Sequence, residues 1–196
     1  MELRRGTNTY AGGTTVRYGR LKVSADGALG TGPVTVYNTL LDASSPLRTA
    51  LQLDATPDMN WSLSNSIAGD GTIWVEGGTG SYRLTSSGTV SPGTNSGAVA
   101  VLTVDGQFAF AKNGGTPVTL AIDAVNVGTT PGTDHDQLKV DHGDATLAAS
   151  ITNCALVLNR IPTPNQMNGL TLTILSAPGA ERMWRSRSKT GRARTP

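Results

Sequence analysis

The sequence predicts an all-β protein coiled as a β-solenoid, and three observations carry that expectation. Glycine (24), proline (10) and threonine (27) are abundant among 196 residues, a strand-and-turn composition in place of the alanine, leucine, glutamate and lysine of helices. No stretch holds a 3.6-residue apolar period for three turns, and the nearest, Leu40 to Leu53, has Pro46 in its middle. In the first 85 residues, short alternating segments return about every 9 to 13 residues between glycine-rich corners, as a solenoid with two or three strands per rung requires. An antiparallel sandwich or jelly roll fits the same local signals and stands as the alternative.

The predicted strands follow in order. Thr14–Val16, Arg20–Val23, Pro33–Tyr37, Ala50–Leu53, Trp61–Leu63, Thr72–Val75 and Ser81–Thr85 alternate apolar and polar residues over three to five positions. Longer segments come next: Val99–Val104, Gln107–Ala111, Pro117–Val125, Gln137–Val140, Ala145–Ile151, Ala155–Leu158 and Leu170–Leu175. Turn clusters separate them, among them Ala25-Asp26-Gly27, Gly69-Asp70-Gly71, Ser91-Pro92-Gly93 and Asn113-Gly114-Gly115. In a solenoid the inward Val and Leu of these strands stack into buried columns, while Thr, Ser and Asn take the outer face and corners.

Charge divides the chain at residue 180. Residues 181–196 hold Arg182, Arg185, Arg187, Lys189, Arg192 and Arg194 against Glu181 alone, whereas residues 1–180 hold ten basic and thirteen acidic groups. The expected organisation is one β domain, 1–180, followed by a basic, disordered tail, 181–196. An acidic body speaks against a specific nucleic-acid face, which needs Lys and Arg gathered on a folded surface. A single cysteine, Cys154, excludes an intramolecular disulfide framework, and its apolar setting reads as a small buried hydrophobe. No apolar run is long enough for a membrane-spanning helix. Met1-Glu2-Leu3-Arg4-Arg5 leads into the first repeat with no signal-peptide pattern.

The segments Asn8-Thr9-Tyr10-Ala11-Gly12-Gly13-Thr14-Thr15-Val16, Gly19-Arg20-Leu21-Lys22-Val23 and Asp26-Gly27-Ala28-Leu29-Gly30-Thr31-Gly32-Pro33-Val34-Thr35-Val36 place three glycine-marked turns and three strands in order. They closely resemble the autotransporter-associated β-strand repeat, with the match lying in residues 6–36. A looser likeness over 90–177 runs through Leu102-Thr103-Val104-Asp105-Gly106, Asp134-His135-Asp136-Gln137-Leu138-Lys139-Val140 and Ala145-Thr146-Leu147. The resemblance implies a right-handed parallel β-helix from a secreted or cell-surface bacterial passenger, hence export and adhesion. Family members are commonly longer, and no membrane barrel pattern follows residue 180, so the chain reads as a C-terminal passenger fragment. An uncovered N-terminal rung would offer strand backbone for edge-to-edge self-association.

The densest constellation for chemistry is Asp134-His135-Asp136 with Asp141-His142-Gly143-Asp144. Asp136, Asp141, His142 and Asp144 are donors that suit Ca²⁺ or Zn²⁺. On a straight strand, however, Asp134 and Asp136 point one way and His135 and Asp141 the other. Solvated strand-end and turn residues are the favoured reading, with no cofactor required. As catalytic candidates, Asp134, Asp136, His135 and His142 would support a hydrolase or polysaccharide lyase, metal-assisted or not. Asp54 with Asp58 is a second carboxylate pair for that chemistry, again favoured as turn residues. No G-x-S-x-G nucleophile elbow occurs, nor a phosphate-cradling loop followed by a helix. Trp61 and Trp74, thirteen residues apart in short strands, are the candidates for stacking on a glycan, although Trp61 is in register with Leu63 and reads as buried. Asn60-Trp61-Ser62 matches a glycosylation acceptor, of little weight in the bacterial chain that the resemblance implies. The expected function is a rigid display segment with glycans or other surface molecules as partners. The alternative is a carbohydrate-active or other hydrolytic enzyme built on Asp134 to Asp144.

Overall fold

Alternating burial is what the short strands share. Arg20–Val23, Val34–Val36, Trp61–Leu63 and Val90–Pro92 each bury alternate side chains and turn the others outward, so each contributes two residues to a core on one face. A computed structural model describes residues 1–39, 49–54, 60–76, 83–94, 98–141, 149–150, 152–160, 171–177 and 182–185. In chain order the strands are β1 (Glu2–Leu3), β2 (Thr14–Val16), β3 (Arg20–Val23), β4 (Val34–Val36), β5 (Ala50–Asp54), β6 (Trp61–Leu63), β7 (Ile67–Gly69), β8 (Thr72–Glu76) and β9 (Arg83–Ser86). They continue as β10 (Val90–Pro92), β11 (Val101–Asp105), β12 (Gln107–Phe110), β13 (Val118–Asp123), β14 (Gln137–Asp141), β15 (Ala149–Ser150), β16 (Cys154–Arg160), β17 (Thr171–Ser176) and β18 (Arg182–Arg185). No helix occurs among the described residues, and none is long and apolar enough to cross a membrane.

Three sheets collect these strands. Sheet I is ordered β1-β3-β5-β8-β11-β14-β17-β18, sheet II β16-β13-β10-β7-β4-β2, and sheet III β15-β12-β9-β6. From β5 onward the chain visits sheets I, III and II in that order and repeats: β5-β6-β7, β8-β9-β10, β11-β12-β13, β14-β15-β16. Each return takes roughly 20 to 40 residues, within the range of solenoid repeats. Among the described residues every strand pairing is parallel except β17 with β18. The antiparallel sandwich is therefore not the arrangement these strands adopt. The protein is all-β with parallel sheets, an arrangement compatible with a solenoid.

The register builds the core as rows. Leu21, Leu51, Ile73, Val104 and Val140 are successive partners in sheet I. Val34, Ile67, Val90 and Leu120 do the same in sheet II, and Trp61, Leu84 and Phe108 in sheet III. Nearly all are fully enclosed, and each large aliphatic side chain so buried contributes about 1.5–3 kcal/mol. Phe108 meets Phe110 edge-on, with ring centroids 4.9 Å apart, a favoured geometry for aromatic pairs. Gly69 must be glycine, because its φ of 125° is open to few side chains and a Cβ there would strike the Val36 carbonyl.

Several expectations need adjustment. The segment nearest to a helix, Leu40 to Leu53, ends in strand β5, and residues 40–48 lie outside the described ones. Strands β7 and β10 fall where the sequence suggested corners, since Ile-Ala-Gly ends in glycine and Val-Ser-Pro in proline, both turn residues. Arg182–Arg185, expected in the disordered tail, form β18 antiparallel to β17. Two arginines and a tryptophan in four residues carry no amphipathic signal; the pairing is supplied by the neighbouring strand. Residues 186–196 lie outside the described ones.

Candidate functional site

The candidate cluster sits where the chain passes from sheet II to sheet I, between β13 and β14. Here a bend replaces the straight strand on which strict alternation was expected: His135 forms isolated bridges with Ala124 and Pro131. As a result His135, Asp136, Gln137 and Leu138 are buried in succession. Asp134 stays at the turn, where its carboxylate accepts the Thr130 N–H at 2.9 Å.

Asp136 is wholly enclosed. One carboxylate oxygen accepts the Ala100 N–H and the other the Asp123 N–H, both at 2.8 Å. The Asp136 N–H in turn donates to the Asp123 carbonyl at 2.8 Å. Ala100 precedes β11, one pass earlier, so a single side chain fastens successive passes of the chain. Burial pushes this carboxyl up to about 7, against the two N–H donors, and the neighbouring Asp123 carboxylate adds to the rise. His135 and Gln137 reach the other way. The His135 Nε2 lies 3.3 Å from the Thr173 carbonyl, and the Gln137 amide donates to that same oxygen at 2.8 Å. Burial holds the imidazole below its ordinary value, opposed by the Thr173 carbonyl and Asp134. The His135 Nδ1 is buried with no hydrogen-bond partner.

This geometry suits bracing rather than chemistry. Asp136 faces inward with both oxygens engaged, while Asp141 faces solvent and pairs with Lys139 at 2.9 Å, so the two do not converge on a common ion. His142 and Asp144, the other proposed ligands, lie outside the described residues, as does Asp58. Among the described residues no group of three or more His, Cys, Asp or Glu could hold a metal. Asp54 pairs with Lys22 at 2.7 Å. Cys154 is half-buried against the edge of the core, not fully enclosed, and burial pushes its thiol up, away from the reactive thiolate.

Trp61 and Trp74 separate as cleanly. Trp61 is 0% exposed within sheet III, so its ring offers no face to a ligand. Trp74 is half-buried on the outer face of sheet I, in register with Gln52 and Asp105. The Arg20 guanidinium lies over its ring, 4.5 Å from the centroid.

A concavity at another corner went unread in the sequence. At the passage from sheet III to sheet II, a groove of about 520 Å³ is lined by Ser64, Ser66, Ser87, Thr89, Asn113 and Thr116, among others. Beneath it Asn65 is buried and donates to the carbonyls of Gly30 and Gly32 at 3.1 and 2.6 Å. Gly88 stacks directly on Asn65, and a side chain at 88 would run into the Asn65 carbonyl. The available signal was the three-residue spacing Ser64-Asn65-Ser66 and Ser87-Gly88-Thr89 before Ile67 and Val90.

Comparison with known proteins found no matching family model, no matching curated protein and no matching solved structure. None of these comparisons supports the likeness to the autotransporter-associated repeat read in residues 6–36 and, more loosely, in 90–177.

Proposed function

We propose that the chain is a rigid display segment of an exported bacterial protein. It is a right-handed parallel β-helix that holds an extended, protease-resistant shape and presents its corners for adhesion. The observation that carries this reading is the repeated visit to three parallel sheets with continuous aliphatic rows between them. Such a rod is stabilised by each coil's contact with its neighbours and needs no central cavity. The right hand follows from the strong bias of parallel crossovers, and export follows from the repeat resemblance. The acidic cluster supports the same role, since Asp136 uses both oxygens to hold backbone.

Small-angle scattering with limited proteolysis tests the reading. An elongated particle whose core resists protease at concentrations that digest a loop-rich control is expected. A near-spherical particle would overturn it. So would turnover on an ester, lactone or glycan panel that is abolished in both Asp136→Asn and His142→Ala.

A further inference from the structure

We infer that the corner groove over Gly88 is a binding subsite for a neutral oligosaccharide, lying along the direction in which the coils stack. The inference rests on the display reading, and it assigns that reading a ligand class and a place. Three features of the corner support it.

The hydroxyls are in register. Leu63 pairs with Ser86 and Ile67 with Val90, so the residues between them, Ser64-Asn65-Ser66 and Ser87-Gly88-Thr89, lie one above the other. Val90 pairs with Leu120, which brings Thr119 into line after Ser66 and Thr89. Neighbouring strands are about 4.8 Å apart, so the corner carries a ladder of hydroxyls at that rise, close to the length of an extended pyranose unit. Each hydroxyl both donates and accepts, as a sugar hydroxyl does.

The groove is held open by the fold. Gly88 is its floor, and the Asn65 carbonyl beneath forbids a side chain there. Asn65 is itself pinned by the Gly30 and Gly32 carbonyls, so the floor is fixed before any ligand arrives. One wall rises from the next coil, where Asn113 and Thr116 exchange backbone hydrogen bonds of 3.0 Å in each direction. The tip of that tight hairpin, Gly114-Gly115, has positive φ at both residues, and nothing packs within 4 Å of where their side chains would be.

The chemistry selects a neutral ligand. The described residues lining the groove include no charged side chain, so phosphate, sulfate and metal ions find no counter-charge. Among the described residues Pro117 and Val118 are its only large apolar members, and Val118 is buried, which leaves no pocket for the side-chain anchors of a peptide.

Heteronuclear NMR titration of the ¹⁵N-labelled full chain with maltohexaose, cellohexaose and chitohexaose tests the proposal. Saturable shifts confined to the amides of Ser66, Ser87, Thr89 and Thr116 with at least one probe, insensitive to added sodium chloride, are expected. The double variant Ser66→Ala/Thr89→Val should weaken that binding at least about fivefold with an unchanged thermal midpoint. Absence of saturable shifts with all three probes would overturn the proposal, as would shifts centred on Trp74 and Arg20 or binding undiminished in the double variant. The same spectra separate this failure from failure of the rod itself. Inter-strand contacts between Ser62, Thr85 and Ala109 report the parallel stacking, and their loss would sink the display reading whatever the sugars do.

Discussion

Two corners of this molecule solve one problem with opposite chemistry. Where sheet II hands over to sheet I, backbone N–H groups of two coils converge, and a buried carboxylate, Asp136, accepts from both. Where sheet III hands over to sheet II, carbonyls of Gly30 and Gly32 converge, and a buried amide, Asn65, donates to both. The first corner is sealed and the second opens outward over Gly88. Each corner between these parallel sheets is stabilised by matching one side chain to the unpaired backbone polarity there, and the choice of ionisable or neutral side chain decides which corner responds to pH.

The largest effect should come from Asp136→Ala, which leaves two buried N–H groups without acceptors; a loss of about 2–5 kcal/mol is expected, read from urea unfolding. The wild-type protein should show the matching pH signature. An unfolded aspartate titrates near about 4, whereas burial raises the folded group to about 7. The folded state thus holds its proton longer. Asp136's contribution is fully present below about pH 4 and is lost as pH rises through about 7. Asp136→Asn, which keeps one acceptor and cannot ionise, should remove that slope; an unaltered slope would show that Asp136 is not its source.

Smaller changes sharpen the other corner. Gly88→Ala drives a methyl into the Asn65 carbonyl and should cost about 1–3 kcal/mol through displacement of the corner. Asn65→Ala leaves two carbonyls short of a donor and should cost about 1–2 kcal/mol, with no pH dependence in its difference from wild type between pH 4 and 8. Thr89→Val, on the open rim, should change stability by no more than about 0.5 kcal/mol. A larger loss would mean that the rim hydroxyl supports the fold.

Much of this was legible in the sequence. Arg20–Val23 and Trp61–Leu63 alternate cleanly because each strand has one buried face, and their boundaries agree with the structure. β7 and β10 escaped because three residues ending in glycine or proline look like corners; only the parallel neighbours on either side make them strands. The acidic cluster was visible as composition, but its role was not. Asp136 turns inward because the chain bends before β14, and its partners Ala100 and Asp123 lie 36 and 13 residues away. The groove is harder still to read, since a serine-rich tripeptide acquires a shape only when a second one is stacked upon it.

The sealing of Trp61 has a practical sequel. An indole wholly shut away in the Trp61–Leu84–Phe108 row will emit at short wavelength and be shielded from acrylamide, whereas Trp74, half-open beneath Arg20, will be quenched. The molecule thus carries its own optical gauge of sheet III: red-shifted, quenchable emission from Trp61 would announce that this face has parted before the rest of the chain unravels.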